Sequence, residues 1–346
     1  MIKRIALNNF RCFDSINLST TEDLSILVGR NALGKTSVLE AIYLISTLKS
    51  IKSSSLDDLI KENAPFAKVL IETDKDMYQV VLTKGHKSLS INNNPIKKSS
   101  EFIANLHTVL FSPSDLDLIT GSPRIRRNFL DRELSMLNKK YLDCAVNAKF
   151  FLKQRNEALK KTSDKNMIKL LTNSFVEQEL LLIKSRIKFI NLLNEKIKEV
   201  HSQIAKNENV YLKYVSTIDI NNPLASYEKV INKDIILHTT TLGYHRDDIE
   251  IYLNDHLANG YCSEGQIRNI AISIKIALVM VYESYLHESP ILLLDDVFSE
   301  LDKSRKSNLI RFLKERPQTF ITTTSLEEIP EELVKNASII QLEKEN

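Results

Sequence analysis

Residues 29–36 read Gly-Arg-Asn-Ala-Leu-Gly-Lys-Thr, matching the spacing G-x-x-x-x-G-K-[ST]. Few short patterns constrain a fold as strongly, because this one works chemically only between a strand and a helix. Upstream, Leu24-Ser25-Ile26-Leu27-Val28 is an apolar run suited to a buried strand, and residues 36–45 downstream are apolar at helical spacing. In that setting the backbone N–H groups of Gly29, Arg30, Asn31, Ala32, Leu33 and Gly34 converge on phosphate oxygens, and the helix adds its positive end. Lys35 is expected to reach the β- and γ-phosphates of a nucleotide. The Thr36 hydroxyl is expected to ligate Mg²⁺, with Ser37 beside it in the first turn.

Glycine usage points the same way. The chain has seven glycines in 346 residues, against about 7% in average proteins. A sequence this poor in glycine is expected to keep it where the backbone demands it. Gly29 and Gly34 are two of the seven, and Gly121, Gly243 and Gly265 fall in polar clusters.

The length allows two or three domains. Hydrophobic content of 43% and charged content of 26% are those of a globular protein. No apolar run approaches membrane-spanning length, and Met1-Ile2-Lys3-Arg4 leads into a strand pattern, so a cytoplasmic protein without membrane contact is expected. Cys12, Cys144 and Cys262 are far apart, which argues against zinc and a disulfide framework. The net charge of +3 is unevenly spread: residues 139–199 hold fourteen Lys/Arg against seven Asp/Glu, a local +7, leaving −4 elsewhere. Such a segment is either a nucleic-acid face or a solvated lysine-rich helix surface.

Strand patterns fall at 2–9, 24–28, 67–73, 77–83 and 87–91, with a turn at Asn92-Asn93-Asn94-Pro95. From Pro123 to about Glu208 glycine disappears and apolar residues recur at helical spacing. Phe150, Phe151, Gln154 and Leu159 fit one helix, and Leu180, Leu181, Ile183, Ile187, Ile190 and Leu193 another. Strands resume at 210–215 and 249–253, and a helix is expected over 266–285. The pattern is one α/β domain split by a helical arm.

Ile291-Leu292-Leu293-Leu294-Asp295-Asp296 is an apolar run ending in two acids. Strands buried on both faces of a parallel sheet look like this, and ligands gather at their carboxyl ends. With a phosphate loop present, Asp295 is expected to hold Mg²⁺ through water and Asp296 to polarise the attacking water. Lys35, Asp295 and Asp296 are thus the candidate catalytic residues. Asp302 reads as a helix cap, and 318–324 as a threonine-rich strand. Ser263-Glu264-Gly265-Gln266 opens the long helix either as a capping box or as a helix end facing phosphate.

Taken together these motifs resemble the RecF family, recombinational-repair ATPases related to SMC and ABC-type heads. The resemblance is carried by Asn9-Phe10-Arg11-Cys12-Phe13, the phosphate loop with residues 39–44, Phe111-Ser112-Pro113-Ser114-Asp115-Leu116, and Gly121-Ser122-Pro123 through Arg126-Arg127-Asn128-Phe129-Leu130-Asp131. It continues in Gln154-Arg155-Asn156, His245-Arg246-Asp247-Asp248, Ser263–Gln266 with Arg268, and the stretch 294–302. These segments span nearly the whole chain in family order.

The resemblance implies an ABC/SMC-type P-loop ATPase head of α/β class with an inserted α-helical arm, divided as 1–120 (head, first half), 121–225 (arm) and 226–346 (head, second half). It implies that Ser263, Gly265 and Gln266 match the signature that contacts the γ-phosphate on a second subunit. ATP would then join two copies as a homodimer on double-stranded and gapped DNA, hydrolysis would release them, and RecR- and RecO-like proteins would assist in loading a recombinase. The chain departs from the family at Ala32 (usually glycine), Tyr244 (usually proline) and Glu264 (usually glutamine), and Lys52-Ser53-Ser54-Ser55 lacks a His-Arg pair. These departures point to a slow ATPase. The competing class is an ABC-type ATPase driving a transporter or a defence effector, and a small-molecule kinase is a weaker third.

Overall fold

The computed structural model describes residues 1–20, 23–103, 105–162, 164–313 and 318–343. The chain forms two compact units, one of Met1–Asp115 with Leu278–Asn346 and one of Leu116–Ala277. The second unit thus cuts the chain differently from the three-part division above.

In the first unit a five-stranded parallel sheet runs Ser338–Gln341, Leu24–Val28, Thr319–Thr323, Ile291–Leu294, Thr108–Phe111. Its central strands are continuous apolar runs because both faces are covered, and all four residues of Ile291–Leu294 are buried. Parallel direction puts every carboxyl end on one edge. The loop after Val28, the acids after Leu294 and the threonines ending Thr319–Thr323 are therefore neighbours, although they lie nearly 300 residues apart in the sequence.

A six-stranded antiparallel sheet runs Phe13–Ser19, Ile2–Phe10, Ala67–Thr73, Met77–Thr83, His86–Ile91, Asn94–Ile96. The helix Lys35–Thr47 packs against both sheets, and eleven of its thirteen residues are buried. Its Val38, Leu39 and Ile42 join Ile5, Leu7 and Ile71 of one sheet and Leu27, Leu293 and Phe320 of the other in one core. A helix apolar on all sides can be stable only in such a position. Ile42→Ala would open a cavity costing about 2–5 kcal/mol.

In the second unit, helix Lys139–Lys161 packs along the 40-residue helix Lys165–Ile204. Asn138 caps the first, accepting from the Lys140 N–H at 2.9 Å, and Asp164 caps the second, accepting from the Asn166 N–H at 2.9 Å. Helices Pro123–Leu137 and Pro223–Leu237 and the antiparallel sheet Val210–Val215, Asp248–Leu253, His256–Leu257 complete it. The helix Glu264–Leu286 supplies residues 264–277 to this unit. Contrary to the sequence expectation, this helix is long and apolar enough to cross a membrane, yet 67% of its most apolar window is buried inside the protein. That is the signature of a core helix.

A polar framework lies inside this unit. Arg186, fully buried, donates to Asp131 (2.6 Å), the Tyr141 hydroxyl (3.1 Å), the Tyr214 hydroxyl (3.2 Å) and the Tyr244 carbonyl (2.8 Å). Glu179 accepts from the Tyr227 hydroxyl at 2.8 Å and the Tyr244 N–H at 2.6 Å. Gly243 (φ 116°) lies against this pair, and a Cβ there would strike Glu179 Oε1 and the Tyr227 hydroxyl. Among the described residues twelve that are not glycine hold a positive φ, including Arg11, Ala32 and Asp296. Scarcity of glycine has therefore not confined left-handed backbone to glycine.

Candidate nucleotide site

The loop leaves Val28 and enters the helix at Gly34, whose φ is 89°. A Cβ at Gly34 would come within 2.6 Å of the Cys12 Sγ and collide with the Phe13 ring, so only glycine fits. Ala32 is also left-handed, at φ 68°, and does carry a Cβ. Lys35 Nζ donates to the carbonyls of Gly29 at 2.7 Å and Arg30 at 3.3 Å. No side chain caps the helix at Gly34 and no acid occupies its first turn. Its N–H groups and positive end are thus available to an anion.

The acids sit opposite. The Thr36 hydroxyl donates to Asp295 Oδ1 at 2.8 Å. The Thr322 hydroxyl, fully buried, donates to the same oxygen at 2.9 Å and accepts the Asp296 N–H at 2.9 Å. Thr322 lies on the strand between those that lead to Gly29 and Asp295, which is why one hydroxyl can orient both acids. Asp296 holds φ 51°, a strained setting for a residue with a side chain. Burial raises its pKa, the neighbouring Asp295 raises it further, and Lys35 opposes the shift. A carboxyl held up in this way is better matched to accepting a proton near neutrality.

Asn31, Ala32, Gly34, Lys35, Thr36, Ser37 and Asp296 all line one open cleft of about 690 Å³. Gly29 and Arg30 contribute carbonyls to Lys35, and Leu33 faces a neighbouring cleft of about 380 Å³. Asp295 stands behind Thr36. The fit to a phosphate chain follows from the uncapped helix and the glycine cradle. Thr36 and Asp295 offer two hard oxygens 2.8 Å apart, a donor set suited to Mg²⁺. Among the described residues no group of three His, Cys, Asp or Glu could hold a metal.

Ser263 and Gln266 belong to the other compact unit, and there they form the capping box. The Ser263 N–H donates to Gln266 Oε1 at 3.0 Å, its hydroxyl to the same atom at 3.2 Å, and the Gln266 N–H returns to Ser263 Oγ at 3.3 Å. Glu264 places a carboxylate in the first turn, beside Gly265. Several other family segments are joints within this unit. Arg126 grips Asp248 with two bonds of 2.8 and 2.9 Å, Arg127 donates to the Asp247 carbonyl at 2.7 Å, and Asn156 Oδ1 accepts from the Thr240 N–H at 2.8 Å. Arg155 forms a fully buried pair with Asp234 at 2.8 Å.

Three contributors escaped the sequence reading. Thr322 looked like a mere strand former, and only its flanking strands reveal it. Arg11 lines the cleft while Glu40 holds it (Nε to Oε2, 2.8 Å). Lys52, in the stretch without a His-Arg pair, lines the cleft as well.

Comparison with known proteins shows the family to which the whole chain is similar. The family described as RecF/RecN/SMC N terminal domain matches residues 1–345. The DNA replication and repair protein RecF of Clostridium perfringens is 36% identical across 99% of this chain and 98% of its own length. That of Bacillus subtilis (strain 168) is 33% identical across 99% and 98%. The solved structure of the recombination mediator protein RecF with ATP in the RecFOR pathway gives a TM-score of 0.89 at 28% identity, covering 95% of this chain and 93% of that one. The Smc head domain of Pyrococcus furiosus shares the fold alone, with a TM-score of 0.55 at 16% identity and coverage of 98% and 92%. The α/β architecture expected from the sequence is therefore that of RecF and of the SMC head. On all of these grounds the chain belongs to the RecF family.

Proposed function

We propose that this protein is an ATP-dependent DNA-binding switch of recombinational repair and replication-fork maintenance. The observation that carries it is the Thr36–Asp295 hydrogen bond of 2.8 Å in a cleft that also holds Lys35 and Asp296. In this reading residues 29–37 wrap the phosphates and Lys35 leaves the Gly29 and Arg30 carbonyls to meet them. Thr36 and Asp295 hold Mg²⁺, which when bound supplies positive charge to the phosphate oxygens. Thr322 keeps Asp295 and Asp296 in place, and Asp296 takes the proton of the attacking water. Turnover is slow, because the reaction serves as a release signal.

Ser263, Gly265 and Gln266 supply donors to the triphosphate held by a second copy, so ATP joins two protomers and hydrolysis parts them. Glu264 works against this, since a carboxylate in that first turn repels phosphate. Residues 1–120 and 226–346 act as the head and 121–225 as the arm, a functional division that cuts across the compact unit Leu116–Ala277. Exposed lysines of the arm, such as Lys149, Lys184 and Lys188, meet the backbone of duplex or gapped DNA. RecR- and RecO-like proteins are the expected partners, in the cytoplasm. A transporter-driving role is not favoured by the comparisons.

Sedimentation with gapped duplex, with and without ATP·Mg²⁺, tests the reading. Wild type is expected to dimerise only with nucleotide, and Lys35→Ala to remain monomeric. Dimerisation of Lys35→Ala equal to wild type, or DNA binding indifferent to salt, overturns it.

A further inference from the structure

Beyond the Ser263 capping box, a chain of polar contacts runs from Gln266 back to the arm. The Gln266 side-chain Nε2 donates to Glu208 Oε1 at 2.8 Å. The other Glu208 oxygen lies 3.3 Å from His201 Nε2, and His201 Nδ1 lies 2.8 Å from Ser273 Oγ. His201 is 1% exposed and Ser273 fully buried. His201 is in the last turn of the 40-residue helix Lys165–Ile204, and Glu208 is in the link to the strand Val210–Val215. All of these residues belong to one compact unit.

We propose that Glu208, backed by His201, is the positioning residue that sets which face Gln266 shows to Ser263, and thereby the donor geometry of the helix end that meets a partner's triphosphate. A side-chain amide presents oxygen on one side and N–H donors on the other. With its Nε2 held by a carboxylate, Gln266 must turn Oε1 toward Ser263, where it accepts both the N–H and the hydroxyl. Turned the other way, its NH₂ would face the Ser263 N–H and its oxygen would face the Glu208 carboxylate. Both contacts would then be repulsive. His201 fixes the carboxylate in turn. A carboxylate requires a donor at Nε2, and the other side of the ring is anchored by Ser273 Oγ, 2.8 Å from Nδ1, whose hydroxyl donates to the Asn269 carbonyl at 2.8 Å. Ser263 is thus held with its hydroxyl engaged, ready to exchange one acceptor for another when an anion arrives.

This inference rests on the shared-triphosphate reading, and its test separates the two. ATP-dependent dimerisation by sedimentation is compared for wild type, Glu208→Ala, Glu208→Gln, Gln266→Leu and the double variant Glu208→Ala/Gln266→Leu. Binding of a fluorescent ATP analogue to the monomer is measured alongside at dilute protein. Glu208→Ala is expected to weaken dimerisation about tenfold with monomer nucleotide affinity unchanged. Glu208→Gln, which keeps an acceptor for Nε2, restores most of the loss. The double variant should be no worse than the worse single, since both break one link. Wild-type dimerisation by Glu208→Ala, or strictly additive losses in the double variant, overturns the proposal. A wild type that never dimerises with ATP overturns the underlying reading instead. A Glu208→Ala chain that fails to fold leaves the decision to the Glu208→Gln and Gln266→Leu pair, where equal losses in both overturn it.

Discussion

Arg11 and Glu40 meet at two points, Nε to Oε2 at 2.8 Å and Nη2 to Oε1 at 3.0 Å. The carboxylate is 1% exposed and also accepts from the Ser50 hydroxyl at 2.5 Å and the Ile51 N–H at 3.0 Å. One acid in the helix after the phosphate loop therefore holds the turn at Arg11 and the chain that follows the helix. Burial alone would raise the Glu40 pKa, but the bonds from Arg11 and Ser50 outweigh it and leave it lowered. Its stabilisation is thus present above the ordinary carboxylate range and lost only as pH falls through the lowered value. Glu40→Gln is expected to lose about 2–3 kcal/mol at neutral pH, read by urea unfolding. It should also bind ATP more weakly, because Arg11 lines the cleft.

Thr322 offers a way to separate orientation from binding. Thr322→Val keeps the shape of the side chain and removes the hydroxyl that orients both acids. Its ATP affinity should stay within a few-fold of wild type while turnover falls roughly 10²-fold, a loss typical of removing one oriented polar group. Single-turnover hydrolysis is the readout. An unchanged rate would mean that the acids orient themselves.

Because the Asp296 pKa is raised by burial and by Asp295, the acid limb of the pH–rate profile should lie above that of an ordinary aspartate. Asp296→Asn should abolish the limb along with most of the turnover. A profile flat down to the normal aspartate range would exclude Asp296 as the base.

Glu264→Gln removes a negative charge from the first turn of the helix that begins beside Ser263. ATP-dependent dimerisation should tighten by about two- to fivefold, as expected for a screened charge near a helix end. Weaker dimerisation would show that the carboxylate serves the interface in another way.

The buried Glu179 gives the second unit a pH response. Burial raises its pKa to about 7, and the bonds from Tyr227 and Tyr244 hold it from rising further. A group whose folded pKa is raised contributes stability at low pH that is lost as pH climbs through the folded value. Unfolding free energy should therefore decline as pH rises from the ordinary glutamate range, near 4.5, to about 7 and level off above it, and Glu179→Gln should flatten that decline. Tyr244 matters here because a proline in its place would have no N–H to give Glu179.

How far the residues alone could lead is clear from particular cases. Strand Leu24–Val28, helix Lys35–Thr47 and the acids after Leu294 were legible because burial on both sides forces continuous apolar runs. Strand Phe13–Ser19 was not, since an edge position lets Asp14, Ser15 and Asn17 interrupt its alternation. Helix Pro223–Leu237 was missed as well, because only Tyr227 and Asp234 in it are buried and its apolar stripe is weak. The loop residues of the site could be named in advance because their chemistry is local. Thr322 and Glu40 could not, because their roles depend on which strands lie side by side.

Ala32, at φ 68°, bears on how nucleotide is received. Its methyl group makes the left-handed setting uncomfortable by roughly 1 kcal/mol, yet it also denies the chain the many alternatives open to glycine, an effect of similar size. Ala32→Gly should accordingly leave the melting temperature nearly unchanged. Calorimetry should nonetheless register a larger entropic penalty on ATP binding and an affinity lower by a few-fold. A single methyl thus does in advance the freezing that an all-glycine cradle must undergo at the moment of capture, and the protein trades adaptability to other ligands for readiness toward one.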